Sequence, residues 1–329
     1  MAHRLLLLLV CPLLALFHTA HAQSGSGVSP LGSYIPPLAA QTLFAIQLNL
    51  SVAGTPLRIA GTTYADGLGT HAVSEILLDV PADAVALSGA VGVDDSALAD
   101  KKGNPGSVRF RLIAGNSILW ESPVLKAGTP AQAFNVPVPS SRYRKIYLQA
   151  DDAGDNPHND HADWVNLRWH HGTPEAPQPA RIFDGANFGH QPNVPGDQTP
   201  AINKALDTLR RAPGSTLRLA PGDYHFHYNA ALRRHLHISN HDQPVWHPVG
   251  IALADLRDTT LDAQGSRFIF HGRMLPVMFL DSQNVALRNV SLDFARPHLS
   301  QATLTKVERG SFEMTVDTRL YPHKIEKGK

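Results

Sequence analysis

Two kinds of residue in this chain could do chemistry: aromatic and polar strings suited to holding a small polar ligand, and carboxylates suited to acid–base work. The string Tyr64-Ala-Asp-Gly-Leu-Gly-Thr-His71, the string Val91-Gly-Val-Asp94-Asp95 and the string Asp160-His-Ala-Asp163-Trp164 lie in the first half. A pyranose stacks its apolar face on an aromatic plate and needs fixed polar groups for its hydroxyls. Trp164, Trp169, Trp120 and Tyr64 are candidate plates, and His71, Asp94, Asp95 and Asp163 are candidate polar partners. A Trp beside Val165 and Leu167 reads equally well as core. His71, followed by small residues, reads equally well as satisfying a buried backbone group.

Asp151, Asp152, Asp155 and Asp160 crowd one loop and form a candidate structural calcium site, since a hard cation would relieve their repulsion. The spacing is not that of an EF-hand, and a solvated acidic turn is the alternative. No other cofactor is required. His158, His161, His170 and His171 match no transition-metal spacing. In the second half the candidate catalytic carboxylates are Asp242, Asp262, Asp281 and Asp293. An inverting glycosidase needs an acid and a base roughly 6.5–9.5 Å apart. Asp262 and Asp293 each follow a strand Leu and could project from a sheet face, although a turn-forming Asp is the favoured reading. His271 and Arg273, beside a strand end, could grip sugar hydroxyls or simply stack as a polar pair. Asp242, Asp262, His271, Arg273 and Asp293 are therefore the substrate-cleft candidates.

Short alternating strands must position these groups. Between Ser33 and Trp169 they recur as Phe44–Leu48, Ile76–Val80, Val85–Val93, Val108–Leu112, Ser117–Trp120, Phe134–Val138 and Lys145–Gln149, separated by turn residues. This predicts a β-sandwich over 33–171. Gly172 to Ala180 is a proline-bearing linker. Over 181–329 the stretch from Gly250 to Pro297 is nearly written twice. A shift of 26 residues carries Ile251 onto Val277, Leu253 onto Phe279, Leu261 onto Leu287, Phe268 onto Phe294 and Asp258 onto Asn284. A fixed period with short β runs marks a solenoid, here the start of a right-handed parallel β-helix. Gly196 to Leu206 reads as a helix capped by Thr199, with Pro200 in its first turn and Ile202, Leu206 and Leu209 on one face.

The bulk properties narrow the function. The 329 residues suffice for two domains. A formal net charge of +1, with 17% charged residues, gives no electrostatic case for nucleic acid or an anionic membrane. The 25 Gly and 25 Pro suit turn-rich β architecture. Residues 1–22 read as an export signal, with Arg4, the apolar run Leu5 to Phe17 and Ala20-His-Ala22. The run is too short for a membrane span. Cleavage is expected after Ala22, giving a secreted or periplasmic protein. The single cysteine, Cys11, lies in that leader, which removes disulfide, thiol and thiolate-metal chemistry.

Taken in order, the first-half strings resemble carbohydrate-binding module family 51, with the departure that Asn156-Pro157 follows Asp155 where the family usually has a glycine. That resemblance implies a galactose-binding-like jelly roll, recognition of galactose-containing glycans and a calcium site. The helix and the Thr216–Phe226 strand-turn-strand resemble the N-terminal end of pectate-lyase-like β-helices, where such a helix plugs the open core. Ile238–Gln243, Leu261–Ser266, Phe268–Pro276 and Asn289–Pro297 are similar to glycoside hydrolase family 110, the exo-acting α-1,3-galactosidases that release terminal galactose with inversion. Members are much longer, so the resemblance implies a truncated β-helix whose catalytic aspartates lie beyond Lys329. The alternatives are a non-catalytic, lectin-like glycan binder and a polysaccharide lyase. The second is disfavoured by the near-neutral charge and the lack of a Lys/Arg row along the coils.

Overall fold

Apolar–polar alternation builds two antiparallel sheets from the first half. The computed structural model describes residues 27–31, 39–41, 43–99, 105–115, 117–236, 245–297 and 299–323. The leader with Cys11, and the cleft candidate Asp242, lie outside them. One sheet runs Gln132–Pro137, Ala84–Val93, His161–His171, Gly67–His71, Gln47–Leu48, with Val28–Pro30 also on His161–His171. The other runs Ser117–Glu121, Arg109–Ala114, Lys145–Asp151, Ser74–Asp79, Ala39–Gln41. Their inner faces share one core, in which Leu87, Val91 and Trp164 meet Ile76, Phe110, Leu112 and Leu148. In Arg109–Ala114 the alternation sends Phe110 and Leu112 into this core and Arg109 and Arg111 to the outer face. The strand expected over Phe44–Leu48 pairs only at Gln47–Leu48; Phe44 has φ 62, which no β ladder accommodates.

The second half pairs in parallel. Ile182–Asp184, Thr216–Arg218, Thr260–His271 and Ala286–Phe294 stack in that order, Asp223–His227 joins the far half of Thr260–His271, and Trp246–Ala254 pairs Leu275–Leu280. Ile251 faces Val277, Leu253 faces Phe279 and Leu261 faces Leu287, an offset of 26 residues. The Asn284 amide donates to Asp258 at 2.8 Å, both residues being left-handed (φ 53 and 51). The expected pairing of Phe268 with Phe294 is corrected: Phe268 faces Leu292 and Phe270 faces Phe294. The register shifts between Asp262 and Ser266, where Gln264 and Gly265 turn with φ 51 and 86; the next coil makes the same corner with Asn289 alone. Leu217, Leu253, Leu261, Phe268 and Phe270 fill the space between the stacked strands, with Phe226 stacked on Phe270 at 5.2 Å.

The helix Thr199–Arg211 lays Ile202, Leu206 and Leu209 on that core. Thr199 is not its cap. Asp197 Oδ1 accepts from the Thr199 amide at 3.1 Å and its hydroxyl at 2.8 Å, so the cap lies further upstream than the sequence suggests. No helix among the described residues is long and apolar enough to cross a membrane.

The halves meet on the outer face of the second sheet. Ile113 and Tyr147 pack on Leu232. Beside them Arg234 Nε reaches both Glu75 oxygens at 3.2 and 3.0 Å, and Arg234 also donates to the Gly115 carbonyl. The guanidinium lies 3.9 Å from the Tyr147 ring centre, and Gln149 donates to Glu75 at 3.1 Å and to the Arg233 carbonyl at 2.8 Å. Burial holds the Tyr147 phenol up at about 12. Lys145–Asp281 (3.0 Å) and the Tyr143 hydroxyl donating to Asp207 (2.6 Å) extend the contact.

Candidate functional site

At one end of the sandwich the loop following Gln47–Leu48 lies over two glycines. A Cβ on Gly69 would run into the Leu50 carbonyl, and one on Gly92 would meet Ile59 at 2.6 Å. Asp163 pairs across the ladder with both Gly69 and Gly92, and directly paired residues share a face. Its carboxyl is therefore sealed beneath the loop and fully buried. Burial, with the Asp94 carboxyl beside it, pushes Asp163 well above the usual carboxylate range. Asp94 accepts from the amides of Arg58 and Ser96, both at 2.8 Å. Asp95 accepts from the Gly61 amide at 2.9 Å and pairs with Arg58 at 3.4 Å. These three acids anchor the loop, which corrects the expectation that they serve sugar hydroxyls.

Trp164, one residue on, faces the other way. It is fully buried, with Phe110 and Phe134 edge-on at 5.2 and 6.2 Å, and cannot be a sugar platform. Trp169 is also buried, and Trp120 leans on Phe134 at 5.0 Å. Tyr64 is half-buried against Leu57, Ile59 and Val165.

What faces outward at this end is Phe44, with His71 buried behind it and bonded through Nδ1 to the Ala72 carbonyl at 2.6 Å, the backbone-satisfying role the sequence also allowed. Phe44 is 70% exposed, and its ring lies 5.4 Å from that of His71. His71 lies 5.6 Å from His161, whose Nδ1 meets the Ser96 hydroxyl at 2.8 Å. Burial lowers both imidazoles, and His158 beside His71 and His71 beside His161 oppose their charging further. An exposed aromatic face beside one half-buried imidazole, that of His161, and the Ser96 hydroxyl is what a sugar ring needs. Of this group only His71 stood out as a ligand in the sequence. Phe44 was absorbed into a predicted strand, and its residue type alone carried no further signal.

The candidate calcium residues lie near one another, but three of them have local partners. Asp151 is taken by Arg111, the Ser107 hydroxyl donates to Asp155 at 2.6 Å, and Asp152 caps the Gly154 amide at 3.2 Å. Asp160 accepts from the Ser107 amide at 2.8 Å through one oxygen, while the other is buried without a hydrogen bond. Burial, together with the nearby acids, raises Asp160 to about 7. No three acids, imidazoles or thiols among the described residues converge as metal ligands. His170 and His171 instead bond Ser88 (2.7 Å) and Asp83 (2.8 Å).

In the second half Asp262 is stitched into its own corner. It accepts from Asn289 at 2.8 Å, from the Gln264 amide at 3.1 Å and from Arg288 at 3.2 Å, which lowers its pKa and unsuits it as a general acid. Asp293 is exposed and accepts from the Phe294 amide. His271 and Arg273 do come together, lining a cavity of about 420 Å³ with Arg296. His271 Nε2 lies 2.7 Å from His225 Nδ1, and its ring stacks on His227 at 4.2 Å.

Residues 33–170 match the NPCBM/NEW2 domain. The chain is 39% identical over 285 residues to alpha-1,3-galactosidase B of Akkermansia muciniphila, covering 86% of this chain and 35% of that protein. It is 41% identical over 130 residues to alpha-1,3-galactosidase B of Phocaeicola vulgatus, covering 38% of this chain and 22% of that one. The chain thus spans about a third, or less, of the length of these relatives. A solved structure of CBM51 from Clostridium perfringens GH95 in complex with methyl-galactose is 24% identical, with 44% of this chain and 99% of that one covered and a TM-score of 0.39. The chain therefore combines an NPCBM domain with a region similar to alpha-1,3-galactosidases.

Proposed function

We propose that the chain recognises galactose-terminated glycans at the loop end of its sandwich, as part of a secreted protein of α-1,3-galactosidase type. Phe44 is the plate, the half-buried His161 and Ser96 supply hydroxyl partners, the buried His71 backs the plate, and the Asp94–Asp163 pair fixes the loop beneath them. The observation that carries the reading is the exposed Phe44 ring standing against His71. The similarity to galactosidases supports galactose as the sugar. The stacked parallel strands, with a helix laid on their core, are read as the opening coils of a right-handed parallel β-helix.

Hydrolysis is a separate matter. An inverting mechanism needs one carboxyl held protonated near neutral pH. Asp262 is held ionised, which favours the lectin-like role for the described residues. The test is titration of a terminal α-1,3-galactosyl trisaccharide into the purified chain, with proton NMR of the same sample for free galactose. Binding that Phe44→Ala abolishes, with no release, is the expected result. Release of β-galactose would assign the acid and base to these 329 residues. Binding unchanged in Phe44→Ala would remove the loop end as the site.

A further inference from the structure

A groove of about 1030 Å³ runs between the outer face of the second sheet and the helix Thr199–Arg211. Its floor follows from strand alternation: Arg109 and Arg111 leave the core side, with Asp151 and Gln149 paired beside them. The opposite wall carries Lys204, Asp207 and Arg211 from the helix, then Asn229, Arg233 and Trp246. Its volume is at the upper end for small-ligand sites, enough for several sugar rings.

The groove is cationic. Five basic side chains line it against three carboxylates, Asp151, Asp152 and Asp207, in a chain whose net charge is only +1. The acids are largely spent. Asp151 pairs with Arg111, while Asp207 takes the Tyr143 hydroxyl, pairs with Arg211 at 2.9 Å and lies 3.9 Å from the buried Arg210. Arg109, Lys204 and Arg233 form no ion pair among the described residues. A concave polar surface focuses such a field. Trp246, half-buried with His235 edge-on at 5.3 Å, supplies an aromatic surface in the same groove.

We propose that this groove is a second glycan site, one that takes acidic oligosaccharides bearing sulfate or carboxylate groups. The proposal rests on the glycan-binding reading but not on the loop end. Trp246 stacks a ring, Arg109, Lys204 and Arg233 hold the anionic substituents, and Asn229 serves a hydroxyl. Charge-assisted hydrogen bonds are about twice as strong as neutral ones, so the charge is the discriminating contact.

The test is calorimetric titration of the purified chain with 3′-sulfolactose, 3′-sialyllactose, lactose and inorganic sulfate. Both acidic sugars should bind about tenfold or more tighter than lactose at low salt, a margin that added salt reduces. The sulfated and sialylated arms show which anion is preferred. Arg109→Gln combined with Arg233→Gln should erase the margin, and Trp246→Ala should weaken both acidic sugars, while Phe44→Ala should remove lactose binding and leave binding of the acidic sugars in the groove. Lactose bound through Phe44 with no acidic preference would overturn the groove and spare the loop end. Inorganic sulfate, or a single-stranded oligonucleotide, binding as tightly as the acidic sugars would mark a general anion surface and overturn the sugar assignment. An acidic preference that survives the double variant would place it elsewhere.

Discussion

Replacing Arg234 by Met should cost the protein about 3–5 kcal/mol, because it strands a buried charge. Arg234 and Glu75 expose 1% and 5% of their side chains. The substitution leaves Glu75 with Gln149 as its remaining donor and takes a donor from the Gly115 carbonyl. Met roughly fills the volume, so the loss is electrostatic and not a cavity. Glu75 and Gly115 belong to the sandwich and Arg234 to the parallel-strand half, so the strain can be relieved by undocking. The cost is then capped by the docking free energy. Urea unfolding followed by tryptophan fluorescence measures the loss, and small-angle scattering detects undocking. Adding Glu75→Leu removes the second charge and should recover most of the loss, since a buried pair replaced by apolar groups is often close to neutral. A single-variant cost below about 1 kcal/mol, the worth of an exposed pair, would refute the reasoning. So would a double variant as damaged as the single one.

Trp164→Ala should destabilise the sandwich by about 3–5 kcal/mol, read by denaturant unfolding, with glycan binding lost only in proportion to unfolding; a stable variant that loses binding would contradict its place in the core. Asp160 binds in the folded state a proton that the unfolded chain releases, its pKa standing at about 7 against 3.8, so stability falls as pH rises through that window. Asp160→Asn keeps the acceptor for the Ser107 amide and should melt higher than the parent at pH 8, the gap closing towards the acid end; an equal gap at both ends refutes the sign. Asp262 behaves oppositely, its folded pKa lying below 3.8, so its contribution is full above that value and lost as pH falls through the folded pKa. Asp262→Ala should lower the melting temperature at neutral pH and leave trisaccharide binding unchanged, and a change in binding without a change in melting would give Asp262 a ligand role. Calcium in excess over the protein should leave the melting temperature unmoved, and a rise that Asp160→Asn abolishes would restore the cation site.

The 26-residue offset was legible because parallel pairing sets like residues on like: Ile251 on Val277, Leu261 on Leu287 and Asp258 on Asn284. It failed at Phe268 because the corner at Gln264-Gly265 is longer than the one at Asn289, and a second Phe two residues on made the wrong alignment look right. The sandwich strands were legible for the same local reason, alternation. The ligands were not, because burial at the loop end is decided by segments far apart in the chain. Asp163 looks like an exposed acid beside a Trp until the loop after Leu48 is laid over it. One mark of that loop was in the sequence. Gly69 and Gly92 precede Thr70-His71 and Val93-Asp94 on the two strands flanking Asp163, where a side chain would strike Leu50 or Ile59. Two glycines facing one acid across three strands call for a covering segment, and a carboxyl so covered must be neutral or paired. The same logic explains the groove. Alternation alone placed Arg109 and Arg111 on the outer face, but only the docking held by Arg234 and Glu75 gives them an opposite wall. If that docking loosens, the acidic-sugar margin should fall with it, so Arg234→Met should lose the preference for 3′-sulfolactose while retaining lactose binding at Phe44.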